Sequence, residues 1–427
     1  MPPDSYIKIR VSSNDLQYSI KENLTTPLII PENNFEPNVL GLENLLFKAV
    51  EDCLQGDVNF GLLLSGGLDS TLISLIASKV SSKKLTSYTL STNDPNSDEV
   101  SYARKIASYL QIENKVTEIN DCEVEKLFST YSNWVPDLNA DPSMIALHSV
   151  CKSASADVKV LLSGDGGDEL QYGYNRHIYW YYLHESPIAK VVPNKIKEQA
   201  INLFLWGLSS NLPGFKKYLN RESLINKIKF AKTSLTDMDK FYFTALSSGN
   251  LQQLQNFVDV RKTQIETAEL FESQTIRRDI IKCDKRYYLG DNVLLKSDRA
   301  SMYASVELRS PFLDKRFVNW SNNLNPKSHI FGLQSKYISR KLLKRHLPKF
   351  LIDRPKQGFG SPIEIWMRGV LQSQITKLFK CTATSQKLGF DERMILSLWN
   401  GFLNQETNNS DLLWRLAILF QWHQRNF

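Results

Sequence analysis

Cysteine is sparse in this 427-residue sequence, and what there is lies scattered. Cys53, Cys122, Cys151, Cys283 and Cys381 show no paired spacing, which excludes a disulfide framework or a zinc site built on cysteine pairs. That usage suits a reducing compartment, so a cytoplasmic protein is expected. Long apolar runs are missing too. The most apolar late stretch, Ile201 to Leu208, is too short to span a bilayer, and no membrane span is expected. The opening Met-Pro-Pro-Asp-Ser-Tyr has no basic start and no apolar stretch, so no signal peptide is expected. No repeat or low-complexity tract stands out. The net charge of +7 is modest for this length and gives no reason to expect nucleic acid as a partner. There is no Gly-Lys-Ser/Thr, which excludes a Walker-type phosphate loop.

What is present centres on one stretch, Val58 to Thr71. The apolar run Val58 to Leu64 reads as a buried parallel strand. Ser65-Gly66-Gly67 follows, then Leu68-Asp69-Ser70-Thr71 and the apolar periodicity of a helix through Leu72, Ile73, Leu75 and Ile76. A strand, a glycine turn and a helix start point unpaired N–H groups and a positive dipole end at one spot. Such a spot suits phosphate, and the hydroxyls of Ser65 and Ser70 add donors. Asp69 repels phosphate unless a Mg²⁺ sits between them. The plainer alternative is a strand-to-helix turn with Ser or Asp as N-cap.

The rest of the sheet pattern runs to about Leu162. Strands are expected at Phe60–Leu64, Leu85–Leu90, Lys115–Ile119 and Val158–Leu162. Helices fall between, at Thr71–Val80, Asp98–Leu110, Val124–Ser132 and Ser143–Ser153, with another before them at Glu36–Leu54. That alternation predicts an α/β fold, a parallel sheet covered by helices. Residues 1–38 hold one possible strand, Tyr6 to Val11, and read as an N-terminal extension. Residues 39–427 read as one domain, with a sheet core over 58–175 and a large helical part over 176–427. The aromatic residues after Ile178 read as core.

A second glycine- and acid-rich loop, Ser163 to Glu169, ends the last expected strand. Ligands of such sheets sit at the carboxyl ends of the strands, so the two loops are expected to form one site. Asp165, Asp168 and Glu169 crowd three carboxylates together, which calls for a cation or a raised pKa. Opposite the first loop, Asp69 and Asp168 would share a Mg²⁺. A solvated acidic turn is the alternative.

Ser65-Gly66-Gly67-Leu68-Asp69-Ser70 resembles the pyrophosphate-binding loop of the N-type ATP pyrophosphatases. Gly164 to Leu170 with Gly173-Tyr174 is similar to the second signature of the synthetase domain of asparagine synthetases. Gln171 and Tyr172 depart from it, standing where an aromatic and a glycine are usual. Asp291–Met302 and Val306–Asp314 look like the third signature. Lys336-Tyr337-Ile338, Arg354 to Phe359 and the closing helix Leu412–Trp422 also match in order. The resemblance implies an adenine nucleotide alpha-hydrolase-like fold and a Mg²⁺–ATP site. Leu63, Ser65, Gly66, Gly67, Asp69, Ser70, Leu90, Gly164 and Lys336 would contact ATP or pyrophosphate, and Asp69 and Asp168 the metal. Lys356 would stabilise amide formation, and Asp165 would accept the proton of the attacking amine. Asp298 with Arg299, and Arg309 with Asp314, would make structural ion pairs; the alternative is that Arg299 or Asp298 lines the acceptor pocket. Most other basic residues between Pro326 and Lys356 read as a solvated face.

The expected activity is adenylation of a substrate carboxylate, releasing AMP and pyrophosphate, followed by transfer of ammonia or an amine. Glutamine-dependent relatives begin with a glutaminase domain whose nucleophile is a Cys after the initiator Met, whereas here Pro2 follows Met1. The expectation is therefore that nitrogen comes from free ammonia, a separate glutaminase subunit or an amine on another substrate. The acceptor would be a small or a sugar- or peptide-linked carboxylate. Two alternatives remain: an intramolecular amide cyclase of the β-lactam synthetase type, and a non-catalytic nucleotide-binding scaffold.

Overall fold

The computed structural model describes residues 5–12, 15–22, 39–91, 98–209, 228–229, 232–235, 241–242, 280–352 and 361–427. Near the start, β1 (Ser5–Ser12) and β2 (Asp15–Glu22) pair antiparallel, with Ser12 opposite Asp15. The expected single strand is thus one arm of a hairpin.

Helix α1 (Val39–Cys53) leads to β3 (Phe60–Leu63), α2 (Leu68–Val80), β4 (Thr86–Ser91), α3 (Glu99–Tyr109), β5 (Glu113–Glu118), α4 (Asp121–Ser129), α5 (Ser143–Ala154) and β6 (Val160–Leu162). The strands pair in parallel in the order β5-β4-β3-β6, and a fifth, β7 (Glu307–Arg309), adds beside β6. The sheet core therefore extends beyond residues 58–175. β7 is only three residues long, too short for strand alternation to show. Chain order runs outward from β3 to β5 on one side and from β6 to β7 on the other. The direction of winding switches between β3 and β6, where open parallel sheets place their ligands.

Alternate residues of the strands serve opposite faces. Phe60, Leu62, Val160 and Leu162 join one apolar cluster with Leu42 and Leu46 of α1, Leu72 and Ile76 of α2 and Ile106 of α3. Leu161 and Tyr88, out of phase with these, are equally buried without joining it. Later segments return to the sheet. α6 (Leu295–Tyr303) packs on α5 and β7, while Phe317 of α7 (Lys315–Asn323) and Ile338 and Leu342 of α8 (Tyr337–His346) enter the apolar cluster.

The chain divides into two compact units, residues 1–171 with 284–371 and residues 172–283 with 372–427. The first holds the sheet. The expected division at 175/176 misses this because 284–371 comes back to the sheet after a long excursion. The described residues of the second unit are mainly helical, with Gln372–Phe379, Glu392–Leu403 and the closing Ser410–Asn426 packing around Phe379, Trp399, Trp414 and Phe420. Among the described residues no helix is long and apolar enough to cross a membrane.

Candidate active site

The first loop is set by its hydroxyls and glycines. Leu64 continues from β3, donating its N–H to the Tyr88 carbonyl at 3.0 Å and accepting the Thr89 hydroxyl at 2.6 Å. Gly67, not a Ser or Asp, is the N-cap of α2. Its N–H donates to Ser65 Oγ at 3.2 Å, and its carbonyl accepts the hydroxyls of Ser70 (3.2 Å) and Thr71 (2.6 Å). α2 therefore starts at Leu68, earlier than the expected Thr71, and brings Asp69 and Ser70 into its first turn. Ser65 and Ser70 meet at 3.2 Å. Gly66 has φ +70°, and a Cβ there would lie 2.9 Å from Tyr102 Cβ of α3. Gly66 thus backs onto α3 and is absent from the cavity wall described below.

The second loop leaves β6 and closes into a short helix, Gly167–Leu170. It touches the first loop through Asp69. A Cβ on Gly164 would lie 2.8 Å from Asp69 Cβ, and one on Gly167 would lie 2.6 Å from Asp69 Cγ. Only glycine allows this approach. Glu169 is buried, and Asp165 and Asp168 face the cavity, so this is not a solvated acidic turn. Asp165 Oδ2 accepts hydroxyls from Ser163 at 3.0 Å and from Ser297 of α6 at 2.7 Å.

Lys336 closes the centre. It precedes α8 with φ +55°, a left-handed backbone that no glycine relieves here. Its ammonium pairs with the carboxylates of both Asp69 and Asp168, the latter at 2.6 Å, and the residue is 4% exposed. Burial opposes its charge, but Asp168 and Asp69 outweigh burial and raise its pKa above the usual lysine value.

A second cation, partly buried, lies along the same wall. Lys296 of α6 pairs with Asp141 Oδ2 at 3.4 Å. Asp141 also accepts the Ser143 hydroxyl (2.6 Å), the Ser143 N–H (2.9 Å) and the Asn292 amide (3.2 Å). Burial works to raise the Asp141 pKa, yet Lys296 and these donors hold it below the usual carboxylate range. Lys296 stays charged in turn: burial opposes it, and Asp141 and Asp165 raise its pKa.

These groups surround one cavity of about 270 Å³. Its wall includes Leu63, Ser65, Gly67, Asp69, Ser70, Leu90, Gly164, Asp165, Asp168 and Lys336 among the residues singled out from sequence. Lys356 lies outside the described residues. Sequence reasoning missed Lys296, Ser297, Glu99 and Arg340, which also line it. Lys296 was within reach: it stands two residues before Asp298 in the third signature, but positions two apart on a helix face different ways. Asp298 and Arg299 are absent from the wall; Arg299 pairs with Asp137 at 2.9 Å and with Asp298 at 3.6 Å. Arg309 does not pair with Asp314. It binds Glu307 and the carbonyls of Cys53 and Gln55, while Asp314 caps α7 and pairs with Arg316. Gln171 is fully buried and accepts the Ser339 hydroxyl, outside the cavity wall, and Tyr172 takes φ +56° where a glycine is usual. Lys327, Lys344, Arg345 and Lys349 are exposed, as a solvated basic face should be.

Among the described residues no group of three or more His, Cys, Asp or Glu side chains is arranged for a metal. A magnesium ion held beside phosphates needs only one or two carboxylates, because phosphate oxygens and water supply the rest. Asp69 and Asp168 are hard oxygen donors that already converge on one cation, so the donor set fits.

The fold and site thus define an α/β protein with a charged cavity at the switch point of a parallel sheet. The asparagine synthase family profile matches residues 41–424, and the chain belongs to that family. Asparagine synthetase [glutamine-hydrolyzing] 1 of Bacillus subtilis is 27% identical over 92% of this chain and 61% of its own length. Amidase chyE of Penicillium rubens is 23% identical over 80% of this chain and 55% of its own length. The chain therefore spans little more than half the length of these curated relatives. Among solved structures, NMN synthetase from Francisella tularensis aligns with a TM-score of 0.26 and 18% identity, over 47% of this chain and 97% of that one.

Proposed function

We propose that this chain is an ATP-dependent carbon–nitrogen ligase that forms AMP. It activates a substrate carboxylate and joins it to ammonia or an amine. The observation that carries the reading is the meeting of Asp69, Asp168 and Lys336 at the carboxyl ends of β3 and β6, in one cavity with Ser65, Ser70, Leu63 and Leu90.

Leu63 and Leu90 offer apolar wall for the adenine. A carboxylate oxygen of the acceptor attacks the α-phosphorus, and the bond from that phosphorus to the bridging oxygen breaks. Pyrophosphate leaves towards Ser65, Ser70 and the N-terminus of α2, where hydroxyls and the helix dipole receive its charge. Lys336 and Lys356 are its cations, Lys356 on its motif alone. Asp69 and Asp168 would hold Mg²⁺, which supplies charge neutralisation on the phosphates. Ammonia or an amine then attacks the acyl carbon and AMP departs. Asp165, oriented through Oδ2 by Ser163 and Ser297, takes the proton that the nitrogen loses. Lys296 places positive charge beside Asp165 in the same wall.

The nitrogen donor is ammonia or an amine, and a cytoplasmic setting suits both ATP supply and the free cysteines. Relatives named asparagine synthetase make aspartate the first acid to try, and the amidase-named relative widens the panel to other carboxylic acids. The test is pyrophosphate and AMP formation from ATP across that panel, with and without ammonium. Release of both with one acid, completed to an amide only with ammonium, supports the reading. ADP and phosphate as products would refute it.

A further inference from the structure

We infer that Lys336 is the resident cation of the Asp69–Asp168 pair and admits a divalent metal only together with a polyphosphate. The inference rests on the reading of this cavity as a nucleotide site and adds its order of assembly.

Lysine and metal would compete for the same oxygens. One ammonium contacts both carboxylates, and Lys336 is almost wholly buried. The lysine thus places a buried positive charge between the two anions. Asp69 is closely flanked by Gly164 and Gly167, where a Cβ would lie 2.8 Å and 2.6 Å from it. The left-handed backbone at Lys336 sets the residue ahead of α8 as its N-cap, with Arg340 donating back to its carbonyl at 3.0 Å. A dication bound to the same oxygens would sit in contact with that ammonium, and the two would repel strongly at low dielectric. A polyphosphate removes the conflict. It brings several negative charges to the Ser65–Ser70 loop, so the ammonium can transfer to phosphate oxygens while the metal takes the carboxylates.

Manganese is the probe, read by the electron paramagnetic resonance of the free ion, without nucleotide. Wild type should take up no Mn²⁺ at this pair and should gain one site when pyrophosphate is added. Lys336→Met should bind one Mn²⁺ alone, at least about tenfold more tightly than wild type. That site should vanish in Lys336→Met/Asp168→Asn, and Mn²⁺ should raise the melting temperature of the single variant but not of the double. Lys336→Arg, which keeps the charge, should exclude Mn²⁺ as wild type does. Mn²⁺ binding by wild type alone, at a site lost in Asp168→Asn, would overturn the inference even if the lysine variants fail to fold. So would a folded Lys336→Met that gains no site. If the lysine variants behave as expected but pyrophosphate adds nothing to wild type, the nucleotide reading fails and the metal exclusion stands.

Discussion

A methyl group at position 167 would press to within 2.6 Å of Asp69 Cγ and Oδ1. Gly167→Ala should therefore push the Asp69 carboxylate off Lys336, with an overpacking cost of about 1–3 kcal/mol. Urea unfolding should show that loss, and titration with Mg–ATP should show weakened binding. Asp69→Ala should abolish AMP formation outright; retained activity would remove Asp69 from the site. At this scale much was legible in the sequence. A carboxylate inside a glycine turn at a helix start has few uses, and Asp69, Asp168 and Lys336 meet. The pairing of Lys296 with Asp141 was not legible, because Asp141 lies far away in sequence and only the packing of α6 on α5 brings the two together. At Gly66, expected on the phosphate side, a side chain would point towards Tyr102.

At the scale of elements, two helices are pinned to the end of the second loop, away from the cavity. Ser339 of α8 donates to Gln171, just past the second loop's short helix, and Ser321 of α7 donates to the Leu170 carbonyl. Ser339→Ala leaves the buried Gln171 oxygen without this donor and should cost about 1–3 kcal/mol. The pair replaced together, Gln171→Leu with Ser339→Ala, should recover part of it, since no buried polar group is then left behind. Denaturant midpoints of the four proteins in the cycle check this, and strictly additive losses would contradict the coupling. Four of the five parallel strands were legible because apolar runs alternated with helix periodicity. β7 was not, since three residues held in place by Lys159 and Ser163 carry no period of their own.

Across the whole molecule, acid stability should be set partly by buried neutral histidines. Burial, with Lys197 nearby, holds His184 down to about 4, and burial lowers His148 despite the Ala300 carbonyl. A histidine with a depressed folded pKa stabilises the fold fully above its unfolded value near 6.5 and loses that contribution as pH falls through the folded value. Urea midpoints should therefore fall between pH 6.5 and about 4. His184→Gln should flatten that decline, and an unchanged slope would contradict the assignment. The parallel sheet covered by helices was legible as a class. The division into units was not, because residues 284–371 rejoin the sheet after more than a hundred intervening residues, and local pattern carries no such return.

The central claim is that one cavity, built around Asp69, Asp168 and Lys336, binds ATP for cleavage between its α and β phosphates. Calorimetric titration with Mg²⁺ and α,β-methylene ATP, which that cleavage cannot consume, tests it most directly. The wild-type chain should show one site, and folded Asp69→Ala should lose it. No binding to wild type, or equal binding to the variant, would contradict it.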